Sequence, residues 1–393
     1  MLSPLFLLSL VGLSTQLVID KFASPDSNAL GNWHGCDEGD GITCTFGSGK
    51  LTVKATDTDY SFYTQLNGGC QDVTGMNSQY LHVKISGSSD FSIALQQNNP
   101  SCDETLSPYP QTWDIVYAPD YTVNGDIYVP LSHFNINKQK AVGFAFKAFR
   151  STTATTFSLV EIVTSLPSGR TVPAKKPTGP LIFQCTRPNS IAFGIDDGVP
   201  ELAQRTMQII KDAGIKVTFF TVGSALTDPE GNFTAIYKEA LDRGHQVALH
   251  SMTHPKLEGL IPASKIDQEF QQSLSTVQQK LGSRVSTKYF RAPYGTDGAL
   301  TRQKLETAVG GGSRVINWSI DIEDWLWGES STPEKQVEAV KRDIARGGNL
   351  FVSHYLYPST VEYFPEFIRL AKATGKQIMR VDQCLEDPNA PPL

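Results

Sequence analysis

An antiparallel β-sandwich followed by a (β/α) barrel is the fold class this sequence predicts, and three observations predict it. Between Ile42 and Val163, short runs of alternating apolar and polar residues recur without a helical period. Beyond Cys185 the rhythm changes to strand then helix, repeated about seven times. Between the two lies Ser165 to Pro180, S-L-P-S-G-R-T-V-P-A-K-K-P-T-G-P, whose Pro, Gly and Lys content marks a linker.

The sandwich strands read, in order, L-T-V-K-A, S-F-Y-T-Q-L, Y-L-H-V-K-I, F-S-I-A-L, W-D-I-V-Y, D-I-Y-V-P-L, V-G-F-A-F-K and F-S-L-V-E-I-V. Gly, Ser, Asn, Asp and Pro separate them, the pattern of roughly eight antiparallel strands with one face buried. In the second half S-I-A-F-G-I leads into a helix over Glu201 to Ala213, K-V-T-F-F-T-V into Phe233 to Arg243, and Q-V-A-L-H-S into Ala263 to Leu281. K-Y-F-R-A-P then leads into Ala299 to Val309, R-V-I-N-W-S-I-D into Pro333 to Arg346, and N-L-F-V-S-H into Val361 to Thr374, with Q-I-M-R-V closing the chain. Such alternation implies a parallel sheet, and about seven units imply a barrel. The expected boundaries are a leader over residues 1–18, the sandwich over 19–165, the linker over 166–184 and the barrel over 185–393.

A chain of 393 residues accommodates two sizeable cores. Net charge is -6 with acids and bases scattered, so no basic stripe invites nucleic acid. Leu2 to Val18 is apolar, short and N-terminal, and reads as a secretory signal despite the missing Lys or Arg ahead of Leu5, with cleavage anywhere between Ser14 and Val18. D-P-N-A-P-P-L at the other end offers no hydrophobic tail for a lipid anchor, so no membrane contact is expected once the leader is gone. The six cysteines fit an oxidising compartment, and their spacing favours Cys36 with Cys44, Cys70 with Cys102, and Cys185 with Cys384. No C-x-x-C pair suggests a thiolate metal site. Of two glycosylation sequons, Asn232 is the expected acceptor, because Asn317 falls in a strand expected to be buried. A secreted monomer, extracellular or bound to a cell wall, is the expectation.

Five polar clusters each end an apolar run: G-I-D-D-G (Gly194 to Gly198), H-S-M-T-H (His250 to His254), R-A-P-Y-G (Arg291 to Gly295), D-I-E-D-W (Asp321 to Trp325) and L-F-V-S-H ending at His354. In a barrel, loops leaving strand C-termini carry the chemistry. Asp196 and Asp197 can divide the labour, one on a metal and the other free as a base, although D-D-G also serves as a turn or cap. His250 and His254 can close on one ion across a single turn, and neutral imidazole suits zinc. Arg291 is either a surface cation or a partner for an acid, and A-P-Y-G makes a rigid turn whose N–H groups could face a ligand. Asp321 and Asp324 could be helix caps, but Trp325 and Trp327 in a polar loop make better sugar platforms than filler. His354 is either a core histidine or an acid at the same rim. His245 reads as structural, and His34, His82 and His133 have no acidic partner at motif spacing.

In this order the five clusters resemble the motifs of the polysaccharide deacetylase superfamily, the NodB-homology carbohydrate esterases that include chitin deacetylases. The resemblance covers Cys185 to Cys384 and implies a distorted (β/α) barrel with a divalent metal, commonly Zn2+, in an open groove. Position by position it makes Asp196 the general base, Asp197, His250 and His254 the metal ligands, and Arg291 the partner of the base. Tyr294 becomes the backbone donor to the oxyanion, Asp324 the residue orienting the acid, and His354 that acid. Trp325 then lines the acetyl pocket, with Leu350 and Val352 near its apolar wall. G-I-D-D-G departs from the usual T-F-D-D-G, and a valine stands where the fifth motif often has leucine. The sandwich is similar to carbohydrate-binding modules in strand pattern alone. The activity implied is removal of N-acetyl groups from a glycan such as chitin. An O-acetyl xylan esterase, a peptidoglycan deacetylase and a non-catalytic polysaccharide-binding wall protein are the alternatives.

Overall fold

The computed structural model describes residues 16–393. Most of the expected leader therefore lies outside the described residues. Its last two positions, Leu17 and Val18, belong to a strand paired with Ile162 and Glu161, so a leader ending at residue 18 would remove part of a sheet.

The first half contains β1 (Leu17–Asp20), β2 (His34–Cys36), β3 (Ile42–Gly47), β4 (Lys50–Ala55), β5 (Ser61–Gln65) and β6 (Tyr80–Gly87). It continues with β7 (Ser92–Gln97), β8 (Thr112–Tyr117), β9 (Thr122–Val123), β10 (Asp126–Pro130), β11 (Ala141–Lys147) and β12 (Thr155–Val163). One antiparallel sheet runs β3-β4-β12-β6-β10-β9 with β1 on β12, and the other runs β2-β5-β11-β7-β8. Both face a common core, to which Leu51, Val83 and Phe157 come from one sheet and Phe62, Leu95 and Phe146 from the other. Four of these strands carry no alternating run in the sequence reading. β1 falls in the leader-like stretch, β2 and β9 have three and two residues, and β3 buries only Ile42. His34 is buried on Asp20 from β1, and His82 sits between Glu161 at 2.7 Å and Asp126 at 2.9 Å. Their acidic partners come from neighbouring strands, beyond the reach of local spacing.

The second half contains β13 (Leu181–Ile182), β14 (Ser190–Asp196), α1 (Pro200–Ala213), β15 (Thr218–Thr221), α2 (Phe233–Asp242), β16 (Gln246–Leu249), α3 (Ser264–Leu281) and β17 (Ser286–Phe290). Then come α4 (Ala299–Ala308), β18 (Arg314–Ile316), β19 (Ile320–Asp321), α5 (Asp324–Trp327), α6 (Lys335–Ala345), β20 (Leu350–His354), α7 (Pro358–Ala373), β21 (Gln377–Met379) and α8 (Val381–Cys384). β14 is buried along its whole length, as a central parallel strand must be. α1 opens with Pro200 in its first turn and stops at Gly214, whose φ of 66° suits a residue without Cβ.

The parallel sheet has nine strands, in the order β13-β18-β17-β16-β15-β14-β20-β19 with β21 on β14. It curls into a half-barrel that stays open, in keeping with the distorted (β/α) barrel expected, but with nine strands where about seven were expected. Its edges β13 and β19 are two residues each and pair inward only, so too little backbone is available for a closing ladder. β13 also corrects the linker, since Leu181 and Ile182 pair with Val315 and Ile316.

The β2-β5-β11-β7-β8 sheet lies over this opening. Thr112 Oγ1 donates to the Leu181 carbonyl at 2.6 Å, and Ser107 Oγ to that of Ser319 at 3.2 Å. Ala94, Ile115 and Ala145 pack on Ala299 at the start of α4. Polar contacts extend the junction, with Arg150 donating to the Glu258 carbonyl at 2.8 Å and Lys147 pairing with Asp297 at 3.2 Å. Disulfides join Cys36 to Cys44, Cys70 to Cys102, and Cys185 to Cys384, the last spanning the second half end to end.

Candidate active site

Parallel strands deliver their C-terminal residues to one rim, and the five polar clusters meet there. Asp196 ends β14 in register with His354 at the end of β20. His250 follows β16 directly, and Arg291 follows β17. Asp197, Ser251, His254, Tyr294 and Glu323 hold positive φ between 50° and 65°, a concentration of uncommon backbone typical of functional loops.

The turn at Asp197, with φ 50°, sends the adjacent carboxylates to different partners. Asp196 Oδ1 accepts from Arg291 Nη1 at 2.7 Å, with both side chains almost fully buried. Asp197 instead faces the histidines, its oxygens 3.6 Å from His250 Nε2 and 3.2 Å from His254 Nε2. His250 Nδ1 donates to the Arg291 carbonyl at 2.7 Å, which leaves the Nε2 lone pair toward Asp197.

These three residues fit a cation. Their ligand atoms lie within 4.8 Å of one another. Both imidazole nitrogens face the Asp197 carboxylate, one nearer each oxygen, at separations of the order that metal bonds of about 2.0–2.2 Å require. Asp197 Oδ1 is buried and accepts no hydrogen bond, an acceptor that a bound ion would satisfy. Burial opposes the Asp197 charge, yet His250 and His254 outweigh it and hold its carboxyl down at about 2.

Arg291 is itself caged. Nε donates to the Ile316 carbonyl at 3.2 Å, and Nη2 to those of Asn317 and Phe351 at 3.1 Å each. A Cβ on Gly194 would stand 2.5 Å from Arg291 Nη2. In this chain the glycine that opens G-I-D-D-G is therefore the room in which the guanidinium sits.

Opposite Asp196, His354 Nδ1 donates to Asp324 Oδ1 at 2.8 Å, and the His354 N–H donates to Asp324 Oδ2 at 2.8 Å. Asp324 thus fixes both the ring and the backbone of His354, leaving Nε2 free. Burial works against the imidazolium, but Asp324, then Asp196 and Asp197, overcome it and lift the pKa to about 9. Burial together with the charges of Asp324 and Glu323 pushes Asp321 up to about 6.

A cavity of about 450 Å3 opens over these groups, lined by Asp196, Asp197, His250, His254, His354, Tyr294, Trp325 and Val352. Leu350 is elsewhere. It is fully buried with Ala192, Phe220 and Ile316: it shares a strand face with Val352 but opens β20, two residues further from the C-terminal rim where the cavity lies. Leu356, Tyr357 and Trp318 complete the wall. Sequence reasoning missed them: Leu356 and Tyr357 lie just past the last motif, and Trp318 lay inside a run read as a strand. A third indole beside D-I-E-D-W was the available signal.

A family model described as polysaccharide deacetylase matches residues 183–310. A chitin deacetylase from Pestalotiopsis sp is 30% identical over 218 residues, 54% of this chain and 70% of the relative. A chitin deacetylase from Colletotrichum lindemuthianum is 28% identical over 218 residues, 54% of this chain and 85% of the relative. A solved structure of the chitin deacetylase from that fungus aligns over 54% of this chain and 93% of its own, with 24% identity and a TM-score of 0.47. With its ordered motifs meeting at one rim and this relative at 30% identity, the chain belongs to the polysaccharide deacetylase family.

Proposed function

We propose that this chain is a secreted hydrolase that removes N-acetyl groups from an N-acetylglucosamine-containing polysaccharide such as chitin, releasing acetate. The observation that carries the reading is the shared centre of Asp197, His250 and His254 beside an Asp196 whose partner is Arg291 instead. A divalent cation on those three ligands, zinc by the chemistry of the donor set, supplies Lewis-acid polarisation and acidifies water.

The remaining work falls to the chain. Asp196, positioned by Arg291, takes a proton from the attacking water. The Tyr294 N–H donates to the developing oxyanion, a donor type whose loss costs roughly 3 kcal/mol elsewhere. His354, held by Asp324, gives its Nε2 proton to the departing amine nitrogen as the C–N bond breaks. Water's remaining oxygen leaves in acetate, so atoms balance. Trp325, Val352 and Leu356 supply the apolar wall for the acetyl methyl group. Three disulfides and an exposed sequon at Asn232 support export to the cell exterior or wall.

The deciding experiment is acetate release from chitin oligomers and from O-acetylated xylan, with and without chelator. Chelator-sensitive release from chitin is expected, with His250→Ala or His254→Ala losing both metal and activity. Asp196→Asn should keep the metal and lose at least ~100-fold in rate. Release from xylan alone, or from neither substrate, would overturn the proposal.

A further inference from the structure

We propose that the cleft between the β2-β5-β11-β7-β8 sheet and the open edge of the parallel sheet is a row of sugar subsites. There the first half of the chain would grip an N-acetylated glycan beyond its reacting unit. This rests on the deacetylase reading and extends it to substrate length.

The cleft has a volume of about 540 Å3, within the usual range for ligand sites. Trp33, Tyr63, Tyr109 and Trp113 line it from the antiparallel half, and Phe183 and Trp318 from the other. Trp33 lies 6.0 Å from Tyr63 between ring centroids, and Trp113 lies 5.1 Å from Phe183. Trp33 remains 49% exposed. The same sheet face closes fully where Ala94, Ile115 and Ala145 meet Ala299, so docking the halves did not require leaving large rings open beside that seam.

The chemistry suits a neutral pyranose chain. Each sugar offers an apolar C–H face to an aromatic ring and a rim of hydroxyl and acetamido groups to side-chain amides. Gln65 and Gln96 supply such amides in the cleft wall. Two of the three ionisable groups there are paired within the protein, Lys147 with Asp297 at 3.2 Å and Asp343 with Arg342 at 2.8 Å, and the third, Asp321, is an acid that accepts from the Glu323 N–H. A polyanionic ligand would find no free cation among those groups.

Continuity fixes the occupant. Trp318 and Asp321 line both this cleft and the cavity over Asp196 and His354, so the two spaces meet along one segment. A chain whose acetylated unit occupies the reaction cavity continues past Trp318 and across Trp33 and Tyr63.

The test compares metal-loaded wild type, Trp33→Ala and Trp33→Phe on chitin oligosaccharides of two and six units. Removing one stacking ring should lower kcat/KM on the hexamer about fivefold to tenfold, through KM, while the dimer changes far less. Trp33→Phe should restore most of the loss. In parallel, equilibrium binding of the hexamer to Asp196→Asn, with and without Trp33→Ala, reads the cleft independently of turnover, and the same loss of affinity is expected. Equal effects on dimer and hexamer, or no change in hexamer binding, would overturn the cleft proposal. Wild type that releases no acetate from either oligomer overturns the deacetylase reading instead, and the binding arm still decides whether the cleft holds glycan.

Discussion

Asp324→Asn removes the charge that governs His354. The substitution is nearly isosteric, but His354 Nδ1 donates to Oδ1 and the His354 N–H to Oδ2, so a single amide oxygen can keep only one of the two 2.8 Å contacts. What disappears is the negative charge and one hydrogen bond. Burial, the largest influence on this ring, then opposes the imidazolium with only the more distant Asp196 and Asp197 against it. A pKa returning from about 9 to the ordinary 6.5 or below cuts the protonated fraction at pH 8 from about 90% to about 3%, roughly 30-fold. If His354 protonates the leaving amine, the alkaline limb of the rate profile should move down by about 2.5 pH units, with KM little changed. Stability should follow. A folded-state pKa above the unfolded value stabilises fully below about pH 6.5 and ceases to as pH rises through about 9, so the variant's Tm deficit in chelated protein should shrink between pH 6 and pH 10. The contribution is on the order of 3 kcal/mol. An alkaline limb that stays in place while activity falls uniformly would refute the acid role and leave Asp324 a purely structural anchor.

Gly194→Ala places a methyl group 2.5 Å from Arg291 Nη2, an overpacking expected to cost about 1–3 kcal/mol and to displace the guanidinium from Asp196. Thermal melts and kcat should both fall, and an unchanged kcat would show that the ion pair is dispensable. Replacing Cys185 and Cys384 together by Ser opens a loop of 199 residues and should cost about 3–5 kcal/mol by denaturant titration, with metal affinity retained in the folded fraction. Peptide mapping of protein made in a glycosylating host should find glycan on Asn232, exposed ahead of α2, and none on Asn317, 8% exposed with its carbonyl bound to Arg291.

The strand-to-helix rhythm, the placing of all five clusters at strand ends and the Asp-His-His donor set were legible because each depends on neighbours a few residues apart. Apolar periodicity declares a buried strand, and a polar cluster at its end declares a rim. Three-dimensional pairing decided the rest. Whether the parallel sheet closes depends on the lengths of β13 and β19, two-residue strands with no periodicity to read. That Gly194 houses Arg291, and that Leu350 lies deep in the core while Leu356 and Trp318 line the cavity, depends on packing between residues far apart in sequence. The acidic partners of His34 and His82 likewise arrive from other strands. Local sequence fixes which groups a chain carries and which strand end presents them; burial, and the charges that assemble around each group, belong to contacts that only the folded chain creates.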